Sequence, residues 1–158
     1  YGSGMEFNHE LFFCKDVKGT EHTSQNLHYD RTPTLKFFLY LNTVNNVNGA
    51  FHCVPGSHIE TRIFEKANRE NGVKPASNRV DLSKSQLNEV SVDGNAGTLI
   101  IVHTDVWHRA NPIVEGERLL IRGHTRLTKN IRKNYSSFSK MSKMIGLPWL
   151  KKVLSKKI

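Results

Sequence analysis

Short apolar segments separated by polar turns dominate the first two thirds of the chain, and this pattern predicts strands. Residues 35–42 form an aromatic-rich segment, and residues 45–49 follow with asparagine and glycine, which tolerate positive φ in turns. Residues 50–54 form a second apolar segment, which ends at Pro55 and Gly56. We therefore predict that the two segments pair as a hairpin.

Two further apolar segments lie nearer the C terminus. Residues 97–102 form a β-branched run typical of a buried strand, and residues 118–127 predict another strand. The intervening residues 59–95 are polar and lack a sustained period, with one helical turn predicted over residues 63–71. Several short strands with one long insertion favour a mainly β fold, a sandwich or barrel of the jelly-roll type.

The pattern changes after the last of these strands. In residues 129–158 apolar residues recur at helical spacing, and Pro148 begins a second helix whose lysines lie mostly away from its apolar face. We therefore predict a barrel domain over residues 1–128 and a basic helical C-terminal segment over residues 129–158.

Composition excludes several classes of protein. The chain is 37% hydrophobic and 23% charged, as in globular proteins, and no apolar run approaches the roughly 18 residues that cross a bilayer. Residues 1–6 lack the basic and apolar regions of a signal peptide. Cys14 and Cys53 are too few for a disulfide framework, so we expect free thiols and a cytoplasmic location.

The net charge of +9 is concentrated at the C-terminal end of the chain. Residues 118–158 contain 12 of the 23 Lys and Arg residues and no acid, whereas residues 1–117 contain the other 11 with all 14 acids, a balance of −3. A charge confined to one segment bears on what that segment contacts and not on the chemistry of the rest of the chain. The favoured interpretation is a solvated basic helix that docks on the domain. Weak contact with an anionic surface through residues 129–158 is the alternative, and no specific nucleic-acid binding is predicted because no recognition motif is present.

One His-x-Asp triplet provides the candidate chemistry. His28 and Asp30 are two residues apart, and in an extended segment such residues point to the same side. A facial triad for Fe(II) needs one more histidine and leaves three coordination positions open. His108 is the candidate for that position and His103 its competitor. The triplet alone is weak evidence, because His103-Thr-Asp105 is a second example.

An arginine follows the second candidate histidine in the sequence and is a candidate to bind an acidic ligand beside the metal. Arg118 lies 10 residues after His108 and opens the next predicted strand. A planar guanidinium can bind both oxygens of a carboxylate, so Arg118 suits an acidic ligand beside the metal. Arg122 lies four residues further along the same strand face and is the alternative anchor.

The order of these motifs resembles the phytanoyl-CoA dioxygenase family. The matching residues, within positions 28–126, are His28-x-Asp30, Asn48-Gly49, Val54-Pro-Gly-Ser-His58, Gly97-Thr-Leu-Ile-Ile, His108-Arg-Ala-Asn-Pro112 and Arg118. The resemblance implies a double-stranded β-helix, a cupin-like jelly-roll barrel, with His28, Asp30 and His108 as the iron ligands and catalytic residues. It also places the far carboxylate of 2-oxoglutarate on Arg118 and Phe38 at the co-substrate pocket.

The resemblance further implies an Fe(II)- and 2-oxoglutarate-dependent dioxygenase that uses O2. Such an enzyme hydroxylates an unactivated C–H bond of a small-molecule or lipid-like substrate and releases succinate and CO2. The carboxylate of Asp30 favours hydroxylation, because related halogenases replace that ligand. Family members usually have further helices and strands before the His-x-Asp motif. We expect this chain to lack part of that region, so the rival hypothesis is a non-catalytic relic barrel that binds a ligand or a partner.

Overall fold

The chain forms two compact units in a computed structural model. The larger unit is residues 7–126, and the smaller one combines residues 1–6 with residues 127–158. The part of the chain that the structure describes comprises residues 5–32, 34–72, 78–80 and 88–127. The basic helical segment predicted over residues 129–158 lies outside these ranges, so both that segment and the predicted domain boundary stay predictions.

Strands predominate among the described residues, which confirms the mainly β prediction. In chain order the elements are β1 (Met5–Phe7), β2 (Phe12–Val17), a 3₁₀ turn (Thr23–Gln25), β3 (Leu35–Tyr40), β4 (Phe51–Cys53), α1 (His58–Glu70), β5 (Val90–Val92), β6 (Leu99–His103), β7 (His108–Ala110) and β8 (Glu117–Leu127). The strands β3, β4, β6 and β8 confirm the four predicted segments. The helix α1 is longer than the turn predicted over residues 63–71. Within the described residues no helix has the length and apolar character needed to cross a bilayer.

The larger sheet supplies one wall of the site. In this sheet β8 pairs antiparallel with both β2 and β3, and β3 pairs antiparallel with β6. The register places Arg118 opposite Asp16, and places Phe38 between Arg122 and Ile100. Because side chains alternate along a strand, residues two or four apart share a face. Arg118 and Arg122 therefore lie on the same side of β8, as predicted.

The smaller sheet has the order β5-β4-β7, and it shows that the predicted hairpin is wrong. The strand β3 belongs to the larger sheet, whereas β4 belongs to the smaller one. The backbone N–H of Asn45 donates to the side-chain oxygen of Asn48 at 2.7 Å, and Gly49 has a φ of 95°, which turns the chain toward the other sheet. The backbone N–H of Phe51 then donates to the Tyr40 hydroxyl at 3.0 Å. A hairpin and such a crossover between sheets have the same strand–turn–strand pattern in the sequence, so the pattern alone did not distinguish them.

Side chains from both sheets meet in one core. The buried apolar residues of this core are Tyr40, Val44, Ala50, Phe51, Ile100 and Leu120. Tyr40, Ile100 and Leu120 come from the larger sheet, and Phe51 comes from the smaller one. The two sheets therefore face each other as layers around a shared apolar interior. Cys14 and Cys53 are free thiols, as predicted.

Candidate metal centre

Backbone hydrogen bonds hold the His28–Asp30 segment against the start of β7. His28 and His108 exchange two bonds: His28 N–H donates to the His108 carbonyl at 3.0 Å, and His108 N–H donates to the His28 carbonyl at 2.8 Å. The backbone N–H of Asp30 donates to the Thr104 carbonyl at 2.9 Å. These contacts fix two parts of the chain that are 80 residues apart in sequence, so the three predicted ligands start from defined backbone positions.

The structure brings His28, Asp30 and His108 together. One potential ligand atom from each residue lies within 4.8 Å of the other two, which is the spacing of a site for one metal ion. Asp30 Oδ1 lies 3.8 Å from His28 Nε2 and 3.9 Å from His108 Nε2. The competitor His103 instead contacts Asp105, with Nδ1 at 3.3 Å from Oδ2. Two imidazoles and one carboxylate are the donor set of a facial triad.

The protonation of both imidazoles suits metal binding. His28 Nδ1 lies 2.7 Å from the Asn26 carbonyl, and His108 Nδ1 lies 2.7 Å from the Val106 carbonyl. Because a carbonyl oxygen only accepts, each Nδ1 carries a proton, and the neutral form of each ring then has its lone pair on Nε2. His108 Nε2 is buried and has no hydrogen-bond partner among the described residues. A buried, unpartnered lone pair is unfavourable unless a ligand occupies it, so this atom fits a metal.

Burial also keeps His108 neutral. Desolvation lowers the pKa of His108 from 6.5 to about 4, and it outweighs the opposing effect of the hydrogen bond to the Val106 carbonyl. The ring is 4% exposed. His108 is therefore an uncharged imidazole at neutral pH, which is the form that binds a metal.

A lysine that the sequence analysis missed contacts the candidate ligand Asp30. Lys36 Nζ lies 2.7 Å from Asp30 Oδ2. Lys36 is on β3, two residues before Phe38, and both side chains line the same cavity. The alternation of side chains along the predicted strand was the signal that could have placed Lys36 beside Phe38.

The predicted anchor Arg118 lines the same cavity but already has partners. Arg118 Nη2 and Nε donate to Asp16 Oδ2 at 2.7 and 3.1 Å, and Nη1 donates to the Gly49 carbonyl. Arg118 is 8% exposed and Asp16 is 9% exposed, so this ion pair is buried. Asp16 was not predicted as a site residue, because nothing in the sequence indicates which acid lies opposite Arg118.

A cavity of about 750 Å³ connects these groups. The triad, Lys36, Phe38, Asp16, Arg118 and Arg122 all line it. Phe38 packs against Phe51 with ring centroids 5.4 Å apart, and Phe51 stacks on the His108 ring at 5.7 Å. The alternative anchor Arg122 lies with its guanidinium 5.2 Å from the Phe12 ring centre. The predicted site residues therefore share one cavity with both apolar and charged walls.

Comparison with known proteins identifies the family of the chain. The family model described as phytanoyl-CoA dioxygenase matches residues 7–117, which are 111 of the 158 residues. A search of curated proteins finds no match.

Solved structures with a similar fold include three at low sequence identity. HygX from Streptomyces hygroscopicus, with nickel, 2-oxoglutarate and hygromycin B bound, has a TM-score of 0.52 at 17% identity over 80% of this chain and 57% of that one. The epimerase SnoN, in complex with Fe3+, alpha ketoglutarate and nogalamycin RO, has a TM-score of 0.54 at 17% identity over 78% and 50%. EvdMO1 has a TM-score of 0.53 at 17% identity over 78% and 28%.

These similarities differ in what they establish. At 17% identity the solved structures show a shared fold alone, and the chain spans between 28% and 57% of their lengths. The family model covers more than half of the chain and agrees with the resemblance carried by the ordered motifs. The chain therefore belongs to the phytanoyl-CoA dioxygenase family of Fe(II)- and 2-oxoglutarate-dependent oxygenases.

Proposed function

We propose that this chain is the catalytic part of a dioxygenase that hydroxylates an unactivated C–H bond of a small-molecule or lipid-like substrate. The reaction consumes 2-oxoglutarate and O2 and releases succinate and CO2. We further propose that the two facing sheets are the two halves of a double-stranded β-helix. The observation that supports this function best is the convergence of His28, Asp30 and His108, with the lone pair of His108 Nε2 buried and unpartnered within the described residues.

In this proposal the triad holds Fe(II) through His28 Nε2, His108 Nε2 and Asp30 Oδ1. The hydrogen bonds from Nδ1 of each histidine to a backbone carbonyl fix the ring orientation and keep Nε2 as the donor atom. When bound, the iron supplies the oxidising chemistry that couples decarboxylation of 2-oxoglutarate to substrate oxidation. Three protein ligands leave the other coordination positions free for small molecules.

Arg118 is the proposed anchor for the far carboxylate of 2-oxoglutarate. A guanidinium has five N–H groups, and the contacts with Asp16 and Gly49 use three of them, one each on Nε, Nη2 and Nη1. One N–H on Nη1 and one on Nη2 remain, and both can donate to an incoming carboxylate. Phe38, which packs on Phe51 in the cavity wall, is proposed to line the co-substrate pocket.

The cavity supports a small-molecule substrate. Its volume of about 750 Å³ is within the range typical of ligand pockets, roughly 300–1,000 Å³. The rings of Phe12, Phe38 and Phe51 provide apolar surface, and Arg122 adds a cation beside Phe12. The similar protein HygX was crystallised with hygromycin B, a small molecule, which is consistent with a substrate of that size class.

A non-catalytic barrel that binds a ligand is the second candidate, and the ion pairs of the cavity favour it. Among the described residues, the two acidic side chains that line the cavity already have basic partners, since Asp30 contacts Lys36 and Asp16 contacts Arg118. A relic barrel with these contacts needs no metal to balance its charge. The two candidates therefore differ in whether the protein binds a divalent metal at the triad.

Metal binding and succinate formation together test the proposal. We expect the protein to bind Mn(II) in a calorimetric titration, and to form succinate from 2-oxoglutarate with Fe(II) and O2. Asp30→Ala removes the single carboxylate of the triad and should abolish succinate formation and weaken Mn(II) binding by at least about a hundredfold. His103→Asn is the matched control, because His103 belongs to the other His-x-Asp triplet and lies outside the triad. Full activity in Asp30→Ala would refute the enzyme assignment, and an absence of Mn(II) binding in the unaltered protein would favour the relic.

A further inference from the structure

The two carboxylate oxygens of Asp30 have different surroundings. Oδ1 faces both imidazoles, at 3.8 Å from His28 Nε2 and 3.9 Å from His108 Nε2. Oδ2 lies 2.7 Å from Lys36 Nζ. One oxygen of Asp30 therefore lies near the two histidines, and the other contacts the ammonium group of Lys36.

The fold holds Lys36 in this position. Lys36 lies on β3, between β8 and β6, with His124 and Val102 as its register partners. A strand that is paired on both sides has little freedom to shift, so the Lys36 backbone is fixed relative to the sheet. The Asp30 backbone is fixed separately by its hydrogen bond to the Thr104 carbonyl. The contact between the two side chains therefore joins two rigid parts of the molecule.

We propose that Lys36 is a positioning residue that restricts Asp30 to a single metal-coordinating oxygen. This inference rests on the proposed function. A carboxylate can bind a metal through one oxygen or through both. Oxygenase chemistry with a facial triad requires three open positions, and a second oxygen from Asp30 would occupy one of them. By binding Oδ2, the ammonium of Lys36 leaves only Oδ1 available to the metal.

Removal of this ammonium has opposite effects on the two ligands. In Lys36→Met the metal gains a second oxygen from Asp30 and loses the repulsion of a nearby cation, and both changes tighten metal binding. The co-substrate loses an open coordination position and an attractive charge, and both changes weaken 2-oxoglutarate binding. A residue with a purely structural role would weaken both ligands together.

The experiment measures the two affinities separately. The unaltered protein and Lys36→Met are titrated with Mn(II), and each Mn(II)-loaded protein is then titrated with 2-oxoglutarate without O2. Lys36→Met should bind Mn(II) about tenfold more tightly and 2-oxoglutarate about tenfold more weakly. Lys36→Arg keeps the positive charge beside Asp30, so it should not combine tighter Mn(II) binding with weaker 2-oxoglutarate binding. The absorption spectrum of the Co(II)-loaded proteins reports the added ligand as a higher coordination number in Lys36→Met.

Lys15→Met is the matched control. Lys15 also forms an ion pair, with Nζ at 2.9 Å from Glu117 Oε2, but it is 56% exposed and lies outside the cavity lining. Its replacement removes the same charge from the protein and should leave both affinities unchanged. If Lys36→Met does not fold, Lys36→Gln provides the same comparison.

The outcomes separate this inference from the proposed function. Unchanged affinities in Lys36→Met, or a weakening of both ligands, would overturn the role of Lys36 while leaving the metal site intact. Absence of Mn(II) binding in the unaltered protein would overturn the proposed function and the role of Lys36 together. Tighter metal binding with weaker co-substrate binding is the result that supports the inference.

Discussion

Asp16→Ala tests the buried ion pair that joins β2 and β8. Asp16 and Arg118 are 9% and 8% exposed, and one carboxylate oxygen accepts two hydrogen bonds from the guanidinium. Among the described residues, alanine would leave the buried charge of Arg118 with the Gly49 carbonyl as its one remaining partner. Removal of one member of a buried ion pair typically costs about 3–5 kcal/mol, because the remaining charge stays desolvated. We therefore expect the free energy of unfolding to fall by about that amount.

Glu117→Gln is the matched control on the same two strands. Glu117 pairs with Lys15 at 2.9 Å, but these side chains are 42% and 56% exposed. Solvent screens an exposed pair, so its loss should cost less than about 1 kcal/mol. The contrast between the two variants isolates burial as the cause, because both remove one acidic charge from neighbouring positions of one ladder.

Urea unfolding of the metal-free protein, followed by circular dichroism, measures both effects. With a slope of about 1–3 kcal/mol per molar urea, a loss of 3–5 kcal/mol moves the midpoint by about 2 M, whereas the control moves it by less than about 0.5 M. Equal midpoint shifts in the two variants would refute the reasoning. They would show that Arg118 finds another partner or water when Asp16 is removed.

Two further predictions concern the pH dependence of folding and the crossover between the sheets. Because burial lowers the pKa of His108 from 6.5 to about 4, the folded chain binds fewer protons than the unfolded chain between these values. Stability should therefore fall by up to about 3 kcal/mol as the pH falls from 6.5 to 4, and urea unfolding of His108→Asn should lack this loss. At Gly49, with a φ of 95°, a Cβ atom would lie 2.8 Å from Ile113 Cγ1. Gly49→Ala should cost about 3 kcal/mol, against about 1 kcal/mol for Gly56→Ala, which has a similar φ in open space. Equal midpoints for the two glycine variants would contradict the steric explanation.

The three candidate ligands could be selected from the sequence because the order of the motifs along the chain is specific. A His-x-Asp triplet alone does not separate His28 from His103. The downstream motifs favoured His28, which the structure places beside Asp30 and His108. The apolar runs that became β3, β6 and β8 were also visible, since each has at least five residues. The strands β5 and β7 were not predicted, because each has three residues and, unlike β4, lies outside any apolar run of the sequence.

The electrostatic partners of the site were not predictable for a different reason. Asp16 and Arg118 are 102 positions apart, and only the register between β2 and β8 brings them together. Register depends on the complete set of neighbours of each strand, which no local pattern contains. The predicted hairpin failed for the same reason, because the alternation of residues before and after the turn does not indicate which sheet each strand joins.

Under the proposed function, the ion pairs of the cavity make the binding of metal and the binding of 2-oxoglutarate depend on each other. Lys36 pairs with Asp30, and Arg118 pairs with Asp16. In the part of the chain that the structure describes, each acidic side chain that lines the cavity therefore has a cationic partner before any ligand binds. A divalent metal at the triad then adds two positive charges to a partly buried region, which is unfavourable by itself. The two carboxylates of 2-oxoglutarate cancel these charges. Metal and co-substrate should therefore bind cooperatively, and by linkage each should increase the affinity of the other by the same factor.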